Sequence, residues 1–141
     1  MTNPTDLIDR SNGRDRFLRR ALIADAAISG TTGLLMLLGA GVLQEMLGMP
    51  AALLRYAGLS LFPFAALLVY FSRRDSLSRA SVWAVIAINA AWVAGSVLLL
   101  LSGRIEPNIL GYAFILGQAL AVAGFAEMQY VGLRKSAATV A

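Results

Sequence analysis

Two acidic residues stand inside long apolar stretches of this chain, Asp25 near its start and Glu127 near its end. Because a bilayer penalises ionisable side chains, acids in such stretches mark ion or proton pathways unless a nearby cation neutralises them. If the two stretches touch, the carboxyl groups could approach each other, and one of them would hold a proton at neutral pH. The simpler alternative, which the sequence favours, pairs each acid with an arginine at the membrane rim, such as Arg19, Arg20, Arg73 or Arg134.

Five uncharged polar residues in the long apolar stretches complete a candidate intramembrane polar site: Ser29, Thr32, Asn89, Ser96 and Gln118. Ser29 and Thr32 continue the helix face of Asp25. The others, together with Trp92, lie near the middle of later stretches, where facing side chains would form an interhelical hydrogen bond worth about 0.6–2 kcal/mol. If they lined a cavity they would bind a ligand, but structural hydrogen bonding is the more ordinary role.

The chain contains neither cysteine nor histidine. That composition excludes a disulfide relay, a thiolate metal site, a histidine-ligated haem and a histidine proton shuttle. The sequence also carries no glycine-rich phosphate loop, nucleophile elbow or metal-spaced acid cluster. We therefore expect no catalytic, cofactor-binding or metal-binding residues, and no enzymatic activity.

Four apolar segments position these residues, at about 21–43, 51–71, 82–101 and 109–131. Each is about as long as the 20 residues that a helix needs to cross a bilayer core of roughly 30 Å. The short connections predict an all-α integral membrane protein, an up-down-up-down four-helix bundle, between a polar segment at 1–20 and a tail at 132–141. Helix is expected from about Asp15 to Gln44, with Asn12 and Gly13 interrupting any helix before it.

Charge is distributed unevenly between the connecting segments. Ten of the twelve basic residues lie before the first apolar segment, between the second and third, or after the fourth: Arg10, Arg14, Arg16, Arg19, Arg20, Arg73, Arg74, Arg79, Arg134 and Lys135. Such a bias predicts a multi-pass protein of a bacterial inner membrane with both termini in the cytoplasm. These side chains would contact anionic lipid headgroups at the cytoplasmic rim, and we expect no nucleic-acid partner.

Small residues recur at the spacing that lets helices approach closely, including Ala26 with Gly30, Ser29 with Gly33, and the series Ala87, Ala91 and Gly95. With the missing catalytic chemistry and the short loops, they favour a non-enzymatic accessory or interaction subunit that binds another membrane protein. The alternative is a small homodimeric proton-coupled transporter that uses Asp25, Glu127 or both. In length and span number the chain resembles the small multidrug-resistance transporters, a likeness that implies four helices per subunit around an essential acid in the first helix, here Asp25.

Overall fold

The computed structural model describes residues 3–137, which form five α-helices and no strand. The helices are α1 (Pro4–Leu38), α2 (Ala40–Leu47), α3 (Ala51–Ser72), α4 (Arg79–Leu101) and α5 (Ile109–Ala137). Four of them, all except α2, are long and apolar enough to cross a membrane. The second and fourth apolar segments start where α3 and α5 start, and the third ends where α4 ends, as predicted. The last four residues of the predicted tail lie outside the described residues.

The first helix differs from its prediction at both ends. It begins at Pro4, where the side chain of Asn3 caps it by accepting a hydrogen bond from the Thr5 amide at 3.4 Å. It then runs through Asn12 and Gly13 without a break, so the predicted interruption is wrong. A glycine costs a helix interior only about 1 kcal/mol relative to alanine, which the remaining turns of a long helix offset.

A break occurs instead at Gly39, where continuous helix was predicted. Gly39 adopts φ −93° and ψ 8°, and its amide donates to the Leu35 carbonyl at 2.8 Å before α2 starts at Ala40. A side chain would not fit, because a Cβ built on Gly39 lies 2.7 Å from that carbonyl oxygen. The absence of a side chain thus lets the chain leave α1 here and begin a second short helix.

Helix α1 is the centre of the packing. It packs closely against α3 and α5, and α4 packs against α5, whereas the consecutive helices α3 and α4 do not form a close-packed pair within residues 3–137. The α1–α3 contact depends on Gly33 and Gly58, since a Cβ built on either would lie 2.8 Å from the other's carbonyl oxygen. The bundle therefore consists of two tight pairs, α1–α3 and α4–α5, with a gap between α3 and α4.

Further hydrogen bonds join the helices and loops at the two ends of the bundle. At one end, which we call the terminal end, the Arg19 guanidinium donates to the carbonyls of Ser72 at 2.7 Å and Asp75 at 3.0 Å. At the other end, which we call the loop end, the backbone amide of Asn108 donates to the Leu47 carbonyl at 3.0 Å. One apolar cluster packs around Met36, Leu47 and Leu54 towards the loop end. Two others pack around Leu22 and Leu68 and around Leu18 and Val82 towards the terminal end.

Candidate functional site

Four buried polar side chains from three helices meet in the middle of the bundle, and we call them the Asp25 network: Asp25, Ser29, Asn89 and Gln129. The Asp25 Oδ2 atom accepts hydrogen bonds from Asn89 Nδ2 and from Gln129 Nε2, both at 2.9 Å. The Oδ1 atom accepts from the Ser29 hydroxyl at 3.1 Å. Asn89 Nδ2 also donates to Gln129 Oε1 at 3.2 Å, which closes a ring of hydrogen bonds between α1, α4 and α5.

The network holds a carboxyl group away from water with neutral partners. Asp25 and Asn89 are each 1% exposed and Gln129 is fully buried, yet all three donors to the carboxyl group are uncharged. None of the rim arginines named from the sequence is among its hydrogen-bond partners within the described residues, and Arg19 donates to backbone carbonyls instead. Removing a charge from water costs several kcal/mol, which neutral hydrogen bonds recover only in part. Among the described residues, the hydrogen-bond donors to this carboxyl group therefore supply no positive charge.

A second polar contact joins α4 to α5 through Trp92, Ser96 and Gln118, and we call it the Trp92 bridge. The indole Nε1 of Trp92 donates to Gln118 Oε1 at 2.6 Å, and Gln118 Nε2 donates to the Ser96 hydroxyl at 3.1 Å. The Ser96 hydroxyl itself donates to the Trp92 carbonyl at 2.8 Å. Every polar atom of the Gln118 amide thus has a partner on α4, as expected for facing helices.

Two cavities lie on either side of this bridge, both of them lined by residues of α3 and α4. The Asp25 cavity, of about 390 Å³, has six polar residues in its wall: Asp25, Ser29, Thr32, Ser60, Asn89 and Gln118. Aromatic rings of Phe64, Trp92 and Phe125 line the same cavity. The Met49 cavity, of about 440 Å³, is lined mostly by apolar residues and shares Ile88, Trp92 and Gln118 with the first.

The predicted site residues do not all lie in one place in the structure. Five of them line the Asp25 cavity: Asp25, Ser29, Thr32, Asn89 and Gln118. Ser96 lines the Met49 cavity. Glu127 is exposed and is not among the hydrogen-bond partners of the Asp25 carboxyl group.

Gln129 was missed by reasoning from the sequence, although helical spacing could have found it. Eleven residues separate it from Gln118, which at 3.6 residues per turn puts both side chains on nearly the same face of α5. Nine residues separate Gln118 from Glu127, which puts that acid on the opposite face. The helix face, rather than the charge, identifies the residue of α5 that meets Asp25.

Comparison of the chain with protein-family models, with curated proteins and with solved structures gives no match. The residues present can hold a cation at Asp25 and enclose a small molecule in the adjoining cavity. Within residues 3–137 no group of three His, Cys, Asp or Glu side chains is placed to bind a metal ion.

Proposed function

We propose that this protein is a small membrane carrier that binds an amphipathic solute in the Asp25 cavity and couples its movement to a cation held at Asp25. The observation that supports it most strongly is a buried carboxyl group with neutral partners in the wall of a cavity. A volume of about 390 Å³ lies in the range of roughly 300–1,000 Å³ that is usual for small-molecule sites. Acidic side chains within membrane-spanning segments mark ion pathways in membrane proteins.

The shape of the bundle supports the same proposal. Because α3 and α4 do not pack closely, solute from the lipid phase would reach the cavity through the gap between them. Aromatic rings and hydroxyl groups in the wall suit a molecule with an apolar body and a polar end. The sequence offers a proton-coupled transporter that uses Asp25, Glu127 or both as the alternative to an accessory subunit; the proposal made here takes up that alternative and rests on Asp25.

We further propose that the protein lies in a bacterial inner membrane in an up-down-up-down arrangement with both termini in the cytoplasm. The argument is the distribution of basic residues, of which only Arg55 and Arg104 fall in the segments assigned to the opposite side. Reporter fusions at residue 141 and at a loop position such as Gly103 test it. We expect a cytoplasmic signal from the first and an external signal from the second, and the reverse pattern would refute the orientation.

A pair of cysteine variants tests the carrier proposal, since the chain has no cysteine of its own. Thr32 lines the cavity, whereas the adjacent Thr31 is exposed and is not part of the cavity wall. In right-side-out and inside-out vesicles, a charged thiol reagent should modify Thr32→Cys from both sides of the membrane and should leave Thr31→Cys unmodified. A cavity closed to water would protect both cysteines, and that result would refute a carrier.

The second candidate function is the accessory or interaction subunit, as a partner of another membrane protein or of a second copy. One observation favours it: the small residues Ala87, Ala91 and Gly95 lie exposed along α4, and a Cβ built on Gly95 meets nothing within 4 Å. Such a series permits close approach of another helix. Native mass spectrometry after gentle extraction tests it, because a stable assembly with other polypeptides would support it and the chain alone would not.

A further inference from the structure

We propose that the Asp25 network is a binding site for a monovalent alkali cation of the size of Na⁺. The inference deepens the proposed function by naming the coupled ion. Only the coupling of that ion to transport rests on the proposed function, whereas binding of the ion does not. Its basis is the position of the oxygen atoms around one donor, the Nδ2 atom of Asn89.

Two oxygen atoms from different helices point at that single donor. Asn89 Nδ2 lies 2.9 Å from Asp25 Oδ2 and 3.2 Å from Gln129 Oε1. An electropositive group is therefore held between a carboxylate oxygen and an amide oxygen, which is where a small cation would also be attracted. In the described arrangement, the Asn89 amide itself supplies that positive end.

Rotating one amide would convert the ring of hydrogen bonds into a set of oxygen ligands. The nitrogen and oxygen of an asparagine amide are nearly isosteric, and their assignment follows from the surrounding hydrogen bonds. If the Asn89 amide turns by 180°, its Oδ1 joins Asp25 Oδ2 and Gln129 Oε1 to form a face of three oxygens. Gln129 Nε2 keeps its hydrogen bond of 2.9 Å to Asp25 during this change.

Ser29 offers a fourth ligand from the other side of the carboxyl group. Its hydroxyl donates to Asp25 Oδ1 at 3.1 Å, and in the proposed site it keeps this bond while a lone pair turns to the ion. Asp25, Ser29 and Asn89 also line the Asp25 cavity, through which an ion and its remaining waters would reach the site. Oxygen ligands of this kind suit hard cations.

The charge of the site selects a monovalent ion. One carboxylate balances one positive charge, and the other ligands, from Ser29, Asn89 and Gln129, are neutral. A divalent ion would leave a net positive charge buried among apolar helices, which is costly. Magnesium also requires near-ideal octahedral geometry at 2.0–2.1 Å, to which three side chains from separate helices are poorly suited.

Equilibrium unfolding of the purified full-length protein tests the site without any solute. The thermal midpoint is measured in increasing NaCl, with choline chloride added so that the ionic strength stays constant. Trp92, which follows Asn89 by one turn, reports in parallel through its fluorescence in a Trp83→Phe background. We expect a saturable rise of the midpoint and a change in Trp92 emission with Na⁺, because a ligand that binds only the folded state stabilises it.

Variants separate binding at this site from a general salt effect. Asp25→Asn should lose the Na⁺ response, and Ser29→Ala should raise the Na⁺ concentration of half-maximal response by about tenfold or more, as losses around metal sites do. Gln44→Leu, which removes an amide at the loop end, should keep the full response. If Asp25→Asn does not fold, Ser29→Ala decides the result.

Identical midpoints in NaCl and choline chloride would overturn the proposal, as would an undiminished Na⁺ response in Ser29→Ala. A midpoint that depends on pH but not on Na⁺ would also overturn it and would assign the charge compensation to a proton. These results are distinct from a failure of the proposed function. Labelling of Thr32→Cys tests access to the cavity and does not require Na⁺ to bind.

Discussion

Replacing Gln129 with leucine should be among the most damaging changes to the polar centre of the bundle. The side chain is fully buried, donates to Asp25 at 2.9 Å and accepts from Asn89 at 3.2 Å. Interhelical hydrogen bonds inside membranes contribute about 0.6 kcal/mol on average and about 1.7 kcal/mol at most. Losing two of them costs roughly 1–3 kcal/mol, and the leucine is of similar size, so we expect Gln129→Leu to lower the free energy of unfolding by about 2 kcal/mol.

The assay is an equilibrium unfolding titration in mixed detergent micelles, followed by circular dichroism. Glu127→Leu is the matched control, since it changes an acid two residues away that is exposed on the other face of α5. It should leave the free energy of unfolding unchanged. If Gln129→Leu were as stable as the wild type, or if Glu127→Leu were equally destabilised, the reasoning from burial and helix face would be refuted.

A double-variant cycle identifies the source of the cost. Part of the loss in Gln129→Leu should come from the Asp25 carboxyl group, which keeps only one donor at Oδ2. Removing that carboxyl group as well, in Asp25→Leu/Gln129→Leu, should therefore cost less than the sum of the single changes. Additive costs would mean that the two side chains stabilise the bundle independently.

Three further predictions concern the packing and the links between helices. Gly58→Ala should destabilise the bundle by up to about 2 kcal/mol, because overpacking costs about 1–3 kcal/mol and the gain in helix propensity offsets only about 1 kcal/mol. Gly95→Ala is the control, since its Cβ meets nothing within 4 Å, and it should be neutral or stabilising in the same titration. Trp92→Phe should lose the 2.6 Å bond to Gln118 and about 0.6–1.7 kcal/mol, and an unchanged stability would refute the bridge. Arg19→Ala should speed amide hydrogen exchange at residues 73–78, which its guanidinium holds through two carbonyls; unchanged exchange would contradict that role.

The sequence predicts the helices well because a membrane-spanning segment must bury its own backbone hydrogen bonds and be apolar over about 20 residues. It also identifies Asp25, Asn89 and Gln118 as candidates, since polar residues are rare in such segments. It fails where the outcome depends on which faces meet. Glu127 was chosen for its charge, yet the face that meets Asp25 carries Gln129.

The break at Gly39 and the α1–α3 contact show a similar limit. Sequence spacing drew attention to Gly33 within its own helix, but the partner glycine, Gly58, lies in a segment with no small-residue series of its own. Helix propensity alone likewise does not distinguish Gly39, where helix ends, from Gly13, where helix continues. Both outcomes depend on contacts and on local geometry that the linear pattern does not contain.

The way the helices pair gives the Asp25 network a place in any transport cycle. Gly33 packs closely against Gly58 between α1 and α3, and the Trp92 bridge joins α4 to α5. The Asp25 network crosses between these two units, since it bonds α1 to both α4 and α5. A relative movement of the two pairs must therefore strain or break its hydrogen bonds, and a cation that turns the Asn89 amide changes that link directly. Because Asp25→Asn weakens this link whether or not an ion is bound, we expect it to change the rates at which Thr32→Cys is labelled from the two sides of the membrane, while Gln44→Leu leaves both rates unchanged.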